Sequence, residues 1–174
     1  MTLISDQVST LANIDVHRGY EPGLIGWVGG LNGSYYAEVW GSGAPFEIMI
    51  SREFCDFVER YDPQKDLVLS AHIDGVLVGS ISVLGCVPDQ HGAQLRFFLV
   101  DPKYHGRGAG KVLLATALDW CRERGFRKAF LWTVDNLPQS RRLYEKTGFR
   151  ITERCADDRY TVPRDNLKME LSLV

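Results

Sequence analysis

The hydrophobic pattern divides the chain into short apolar runs and longer segments with helical periodicity. Apolar positions at helical spacing predict helices over 46–61, 110–125 and 138–146, the last capped by Asn136 and opened by Pro138. Two apolar runs flank Asp74-Gly75, and this arrangement favours a β-hairpin. Alternating or continuous apolar runs predict strands over 14–20, 67–73, 76–84, 93–100, 127–134, 149–154 and 166–173.

The segment 23–40 gives two conflicting signals. Its apolar residues follow helical spacing, but five glycines oppose a long stable helix. We therefore expect a helix over 22–30, a break near Asn32-Gly33 and a second turn from Tyr35 to Val39. Turns or loops are expected over 87–92 and 156–165, and 1–13 are expected to be a loosely ordered lead-in.

The order of these elements is one strand, two helices, three strands, a helix, a strand, a helix and two strands. Strand–helix–strand units favour one parallel pairing within an otherwise antiparallel sheet. The expected class is α/β (α+β), with a mixed, mostly antiparallel central sheet flanked by about four helices. The composition shows no break, so we expect one domain over 1–174.

Composition excludes several classes of protein. Hydrophobic residues make up 45% and charged residues 24% of the 174 residues, as in a globular protein, and no apolar run is long enough for a membrane span. No signal peptide is visible and the four cysteines form no Cys-x-x-Cys pair, so a reduced, cytoplasmic protein is expected. The sequence contains no cluster of histidines and cysteines, and hence predicts no metal site.

Charge is distributed unevenly along the chain. Residues 1–99 carry 5 basic and 12 acidic side chains, whereas residues 100–174 carry 15 basic and 10 acidic ones. A basic half suits a polyphosphate ligand and an acidic half suits a cationic amine, although ordinary surface charge explains the asymmetry equally well. No basic run is interleaved with aromatic residues, so nucleic-acid binding is not expected.

A glycine-rich segment, Tyr-His-Gly-Arg-Gly-Ala-Gly-Lys over 104–111, joins a predicted strand to a predicted helix. Glycines let the backbone approach a ligand closely, and a helix N-terminus directs unpaired N–H groups at an anion. The spacing is neither the Gly-x-Gly-x-x-Gly of dinucleotide-binding folds nor a Walker loop. Two interpretations are open at this point: a phosphate site, or a glycine-rich turn before an ordinary helix.

This segment resembles the pyrophosphate-binding signature of the GNAT (GCN5-related) N-acetyltransferases, with His105 where Arg or Gln is usual. A second segment, Asn136 to Phe149, is similar to the family's Asn-x(n)-Ala-x-x-Leu-Tyr-x-x-x-Gly-Phe. The resemblance covers nearly the whole chain from Ile14 and implies the GNAT fold and acetyl-CoA or coenzyme A as cofactor. The N-terminal sequence around residues 19–38 is also similar to the acetyltransferase half of bacterial MarR-GNAT fusion proteins.

The resemblance implies roles for individual residues. Tyr144 would donate a proton to the departing thiolate, and the strand before the loop would be splayed at a bulge, with Phe98 N–H at the acetyl carbonyl and Val100 at the pantetheine. The implied cofactor-binding set is Phe98, Leu99, Val100, His105, Gly106, Arg107, Gly108, Ala109, Gly110, Lys111, Asn136, Ser140, Arg141 and Tyr144.

The general base is less well defined. Some members of the family use a glutamate where this chain has Gln94, which cannot accept a proton. Glu38 is favoured as the base, with His72 as another candidate. An acceptor pocket is expected from Trp27, Tyr35, Tyr36 and Glu38, with Trp40 nearby, through cation–π contact between the aromatic rings and an amine. For at least two of these four aromatic residues, core packing is the expected role.

The resulting hypothesis is an acetyl-CoA-dependent N-acetyltransferase that moves an acetyl group to a primary amine by direct transfer in a ternary complex. Its partner would be a small-molecule or protein amine, with no nucleic acid or membrane, and a homodimer is expected from the family. The alternatives are a non-catalytic acyl-CoA-binding or sensing module of the same fold, and an enzyme that uses a different acyl donor.

Overall fold

The computed structural model describes residues 13–85, 92–157 and 164–174. A short 3₁₀ turn, Pro102–Tyr104, precedes the glycine-rich segment. The four helices in the described ranges are α1 Leu24–Trp40, α2 Ala44–Glu59, α3 Ala109–Glu123 and α4 Pro138–Thr147. The strands are β1 Ile14–Arg18, β2 Leu67–Ile73, β3 Val76–Leu84, β4 Ala93–Val100, β5 Lys128–Val134, β6 Arg150–Asp157 and β7 Arg164–Ser172.

All seven strands form one sheet in the order β1-β2-β3-β4-β5-β7-β6. The pair β4–β5 is parallel and every other neighbouring pair is antiparallel, which confirms the mixed, mostly antiparallel sheet. The parallel pair is joined through α3, because parallel strands need a long crossover connection. The hairpin at Asp74-Gly75 is confirmed, with φ values of 51° and 75° at its two turn residues.

The helices cover both faces of the sheet. Successive side chains of a strand point to opposite faces, and accordingly Leu67 and Leu69 of β2 pack in the cluster that contains α3, while Val68 packs with α1 and α2. Burying apolar side chains on both faces is the main stabilising contribution to such a layered fold. None of the helices in the described part of the chain is long and apolar enough to cross a membrane.

The predicted break near Asn32-Gly33 is wrong, because α1 continues without interruption to Trp40. Two of the five glycines, Gly29 and Gly33, pack against α2. A Cβ atom on Gly29 would lie 2.3 Å from Ser51 Oγ, and one on Gly33 would lie 2.7 Å from the Glu47 carboxyl group. The low helix propensity of these glycines is therefore outweighed by the close approach of the two helices that they permit.

Two further predictions need correction. Asn136 does not cap α4, because the N-cap position is Leu137 and Asn136 Oδ1 instead accepts a hydrogen bond from Trp40 Nε1 at 3.2 Å. The strand β6 extends to Asp157, where a loop was expected from Ala156. Three parts of the chain lie wholly or almost wholly outside the described residues: the predicted turn over 87–92, the lead-in over 1–13 and Cys86, one of the four cysteines.

Candidate active site

The strand β4 changes course in its second half. Ser82 pairs with Arg96 and Ser80 pairs with Leu99, so two residues of β4 stand opposite the single residue between them in β3. Phe97 within this bulge has φ of +50°, a conformation uncommon outside glycine. The ladder between β4 and β5 ends at Gln94. The described structure thus has the splayed strand that the sequence resemblance implied, with β4 backbone groups beyond Gln94 outside the β5 ladder.

The glycine-rich segment forms the N-terminus of α3. Gly106 and Gly108 have φ of +79° and +97°, and Gly108 occupies the N-cap position without a side-chain cap. The first-turn N–H groups therefore have no partner within the helix, and the positive end of the helix dipole lies at the same point. Backbone N–H groups and Lys111 together make this end of α3 suited to a phosphate group.

A cavity of about 300 Å³, called here the loop cavity, lies between β4, this glycine segment and α4. Most of the predicted cofactor-binding residues line it: Phe98, Leu99, Val100, His105, Gly106, Gly108, Ala109, Gly110, Lys111, Ser140 and Tyr144. Three further lining residues were missed from the sequence, namely Tyr104, Gln139 and Leu143. Gln139 and Leu143 lie next to Ser140 and one helical turn from it, so their positions on α4 could have indicated them.

Three predicted cofactor-binding residues have other contacts and do not line the loop cavity. The guanidinium of Arg107 lies 5.1 Å from the ring centre of Tyr104. Arg141 Nε is 2.7 Å from Glu145 Oε1, and Asn136 is bonded to Trp40.

His105 stands where the family signature has Arg or Gln. Its Nε2 lies 2.9 Å from the carbonyl oxygen of Val100, so this nitrogen carries the proton and donates it. The bond joins the end of β4 to the glycine segment, and both of these segments line the loop cavity. His105 therefore positions the glycine segment against the end of β4 through this hydrogen bond.

Tyr144 lies at the centre of the site. Its side chain is 7% exposed, and its ring centre is 6.0 Å from Phe98 and 5.9 Å from Phe149. Burial raises the pKa of the Tyr144 hydroxyl well above its usual value near 10, and the neighbouring Tyr36 raises it further. The hydroxyl consequently stays protonated at physiological pH and is available as a proton donor.

A second cavity of about 620 Å³, called here the aromatic cavity, adjoins the loop cavity and shares Phe98, Ser140 and Tyr144 with it. The rings of Tyr36 and Trp40 stack at 4.0 Å within its lining, and Phe46 packs against them. Gln94, the residue that replaces a family glutamate, also lines this cavity.

Glu53 is the carboxylate among the described residues that line the aromatic cavity, and it forms an ion pair with Arg96 there. Neither residue is among the candidates that the sequence pattern predicted. Arg96 could have been found, since it lies two residues after Gln94 on the same strand. Glu53 comes from α2, and only the packing of α2 against the sheet brings it to this cavity.

The predicted acceptor residues are divided by the structure. Tyr36 lines the aromatic cavity, and Tyr35 lines a smaller cavity of about 70 Å³ between α1 and the end of β4. Trp27 instead packs against the core of α1 and α2. Glu38 is exposed and lines none of these three cavities. The structure therefore does not bring Trp27 and Glu38 to the site.

Two cysteines are poor thiolate candidates. Burial raises the pKa of Cys121 to about 12. Cys155 lines the aromatic cavity, but its hydrogen bond to Glu153 raises its pKa as well. A nucleophilic cysteine needs a lowered pKa, so neither residue suits a covalent acyl-enzyme route.

Comparison with known proteins gives a consistent result. The profile of the Acetyltransferase (GNAT) family matches residues 31–149. The chain is 32% identical over 103 residues to the mycothiol acetyltransferase of Beutenbergia cavernae and 34% identical over 84 residues to the glucosamine 6-phosphate N-acetyltransferase of Trypanosoma brucei brucei. The structure of yncA from Salmonella typhimurium, solved with its cofactor acetyl-CoA, has a TM-score of 0.70 at 18% identity and covers 92% of this chain and 94% of its own.

The matches to the two curated relatives are partial. They cover 59% and 46% of this chain, and 33% and 55% of the respective relatives. The chain thus spans about a third of the first relative and about half of the second. The finer similarity to the acetyltransferase half of MarR fusion proteins stays a prediction.

Proposed function

The chain belongs to the GNAT family of acetyltransferases, and we propose that it is an acetyl-CoA-dependent N-acetyltransferase that acts on a primary amine by direct transfer in a ternary complex. One observation carries this proposal: the loop cavity and the aromatic cavity meet at Phe98 and Tyr144. Two ligands bound in adjoining cavities can react directly at their shared wall, where proximity makes a large contribution to the rate.

The loop cavity fits acetyl-CoA, which supplies the activated acetyl group as a thioester. The N-terminus of α3 and Lys111 would hold the diphosphate. The part of β4 beyond Gln94 would pair with the pantetheine arm as an added strand does. Asn136, Arg107 and Arg141 have other contacts in the described structure, so we assign the binding to the residues that line the cavity.

Tyr144 is proposed as the proton donor to the leaving thiolate. Its buried hydroxyl is held in the neutral form, and its side chain lines both cavities. A positioned proton donor typically contributes about 10²–10⁴-fold to the rate. Backbone N–H groups of β4 near Phe98 would stabilise negative charge on the acetyl oxygen, because fixed dipoles are effective where water is excluded.

The amine acceptor is proposed to bind in the aromatic cavity. An amine must lose its extra proton before it can attack a thioester, and Glu53 is the described carboxylate lining that cavity. The aromatic rings of Tyr36, Trp40 and Phe46 line the same space, where a cationic amine would contact them. Glu53 therefore replaces Glu38 as the candidate base, since the Glu38 side chain lines none of the cavities.

The aromatic cavity also argues for an enzyme over an acyl-CoA sensor, because a sensor has no need for a large second cavity that opens onto Tyr144. The identity of the amine, a homodimer and a cytoplasmic location stay predictions. The choice between acetyl-CoA and another acyl donor also stays a prediction.

The test combines ligand binding with thiol release. Coenzyme A and acetyl-CoA should each raise the melting temperature, by an amount equivalent to about 2.7 kcal/mol at a ligand concentration of 100 times Kd. A panel of amines should then include acceptors that release free coenzyme A and gain an acetyl group by mass spectrometry. Absence of stabilisation by either cofactor would contradict the proposed use of the loop cavity, and stabilisation without transfer to any amine would favour the sensor.

A further inference from the structure

Two histidines and a glutamate meet at the β1 edge of the sheet, and none of the three lines the loop cavity or the aromatic cavity. His17 belongs to β1, His72 belongs to β2, and Glu21 lies in the turn between β1 and α1. In the antiparallel register His17 stands opposite Ser70, so His17 and His72 are diagonal neighbours on one face. The turn after β1 places the Glu21 carboxylate next to the imidazole rings of His17 and His72.

The spacing of the three groups is that of ligands around one ion. One ligand atom from each residue lies within 4.8 Å of the other two. Glu21 Oε2 is 3.4 Å from His17 Nδ1, and Glu21 Oε1 is 3.2 Å from His72 Nε2. Zinc–ligand bonds of about 2.0–2.2 Å in a tetrahedron separate neighbouring ligand atoms by about 3.3–3.6 Å. The two separations, each to a different oxygen of the Glu21 carboxylate, are close to the distance between ligand atoms of one ion.

Stacking and burial hold the cluster in place before any ligand binds. The His17 and His72 rings stack at 4.4 Å with 29° between their planes. The His72 side chain is 12% exposed, the Glu21 side chain 26% and the His17 side chain 57%. Burial orders the His72 and Glu21 side chains, and the exposed His17 leaves an open side through which an ion can enter.

Hydrogen bonding leaves the cluster incomplete. Among the described residues, His72 Nδ1 is buried without a hydrogen-bond partner, and Glu21 Oε1 has only the 3.2 Å contact with His72 Nε2. A buried polar atom without a partner lowers the stability of the fold. A cation held between Glu21 Oε1 and His72 Nε2 would give this carboxylate oxygen a strong partner.

We propose that His17, Glu21 and His72 form a binding site for a divalent metal ion of the Zn²⁺ type. Two imidazoles and a carboxylate suit Zn²⁺, Co²⁺ and Ni²⁺ better than Mg²⁺ or Ca²⁺, which prefer oxygen ligands alone. Three protein ligands leave a fourth position for water. The site takes no part in acetyl transfer and does not depend on the proposed function.

The bound ion would join the edge strand β1 and β2 to the segment that enters α1. The same helix carries Tyr36 and Trp40 to the aromatic cavity farther along its length. An ion that binds only the folded chain stabilises it by mass action. The expected consequence is a higher melting temperature in the presence of Zn²⁺.

The experiment uses the tag-free protein after treatment with a chelator, because a polyhistidine tag binds the same metals. Titration with Co²⁺ should produce the visible absorption of a nitrogen-ligated cobalt ion at one equivalent per chain, and Zn²⁺ should displace it. His17→Ala and Glu21→Gln should each weaken binding by at least about tenfold, since even partners outside the ligand shell contribute about 10–100-fold to metal affinity. Glu59→Gln, an exposed carboxylate outside the cluster, is the matched control and should bind as the parent does.

Absence of cobalt absorption and of any zinc-dependent thermal shift would overturn the proposal. Equal binding by the parent and both variants would overturn it too, because the metal would then bind elsewhere. His17 is exposed at the sheet edge, so circular dichroism should show a native fold for His17→Ala. If that variant does not fold, Glu21→Gln, which keeps the shape of the side chain, decides the question alone.

Discussion

Trp40 Nε1 donates a hydrogen bond to Asn136 Oδ1 at 3.2 Å, and this bond joins the last residue of α1 to the turn before α4. Trp40 is 6% exposed and clusters with Val134 and Leu137. The end of α1 is thereby fixed against the segment that leads to Tyr144. An asparagine that the family resemblance assigned to cofactor contact has a structural role between two elements of the site.

Asn136→Ala should lower the free energy of unfolding by about 0.5–1.5 kcal/mol in the absence of any cofactor, since it removes one hydrogen bond. Trp40→Phe should also lower the free energy of unfolding, because it removes the same hydrogen bond. Urea unfolding measures the loss in each variant. The double variant should lose less than the sum of the two single losses, because the two residues share the bond. Strict additivity, together with a defect confined to acetyl-CoA affinity, would instead support a direct cofactor contact for Asn136.

Tyr144→Phe should lower kcat by about 10²–10⁴-fold with little change in the dissociation constant of acetyl-CoA, because only the proton donor is lost. Steady-state kinetics and a thermal titration with coenzyme A measure the two quantities separately. Tyr104→Phe is the matched control, since Tyr104 lines the loop cavity but not the aromatic cavity. Equal kcat for Tyr144→Phe and the parent would remove the proposed acid role.

The raised pKa of Tyr144 also predicts a change of stability with pH. Above about pH 10 the tyrosine of the unfolded chain releases its proton while the buried hydroxyl keeps its own, so the unfolded state binds fewer protons and stability falls as pH rises. Tyr144→Phe should show a shallower decline of unfolding free energy above pH 10. Parallel curves for the two proteins would show that Tyr144 does not titrate differently on folding.

Glu53→Gln should lower kcat/KM for the amine and change its pH dependence, because the aromatic cavity would lose its described carboxylate. The acetyl-CoA dissociation constant should stay unchanged, since Glu53 does not line the loop cavity. Glu38→Gln is the control, as its carboxylate is exposed and lines neither cavity. If Glu38→Gln alters the pH–rate profile and Glu53→Gln does not, the base is Glu38 after all.

Substitution by alanine should change the free energy of unfolding in opposite directions at two glycines of α1, Gly26 and Gly29. Gly26→Ala should raise the free energy of unfolding by about 0.5–1 kcal/mol, because its Cβ would meet no atom within 4 Å and alanine favours a helix. Gly29→Ala should lower it, because its Cβ would overlap Ser51 Oγ. Chemical denaturation of both variants measures the difference. A similar gain at both positions would mean that α1 and α2 can move apart without cost.

Local pattern was sufficient for most of the secondary structure. The bounds of β2, β3 and β4 agree with the predicted runs, because alternation of side chains and an Asp-Gly turn depend on neighbouring residues alone. The glycine segment before α3 was recognised for the same reason, since its positive φ angles and free helix terminus are properties of a few consecutive residues. This stretch and the end of β4 just before it supply most of the residues that line the loop cavity.

Contacts between distant residues decided the rest. The continuity of α1 depends on how closely α2 approaches Gly29 and Gly33, and a propensity scale contains no such information. Glu53 reaches the aromatic cavity only because α2 packs across β4. Glu53 and its ion-pair partner Arg96 are 43 positions apart in the sequence.

The cluster at the sheet edge has the same origin. His17 and His72 are far apart in sequence and meet only through the pairing of β1 with β2. The sequence by itself therefore determined most of the elements, the fold class and the loop at the start of α3, because these follow from local periodicity and backbone conformation. The tertiary structure alone decided which charged side chains face a common space, since that depends on packing between elements that no local pattern records.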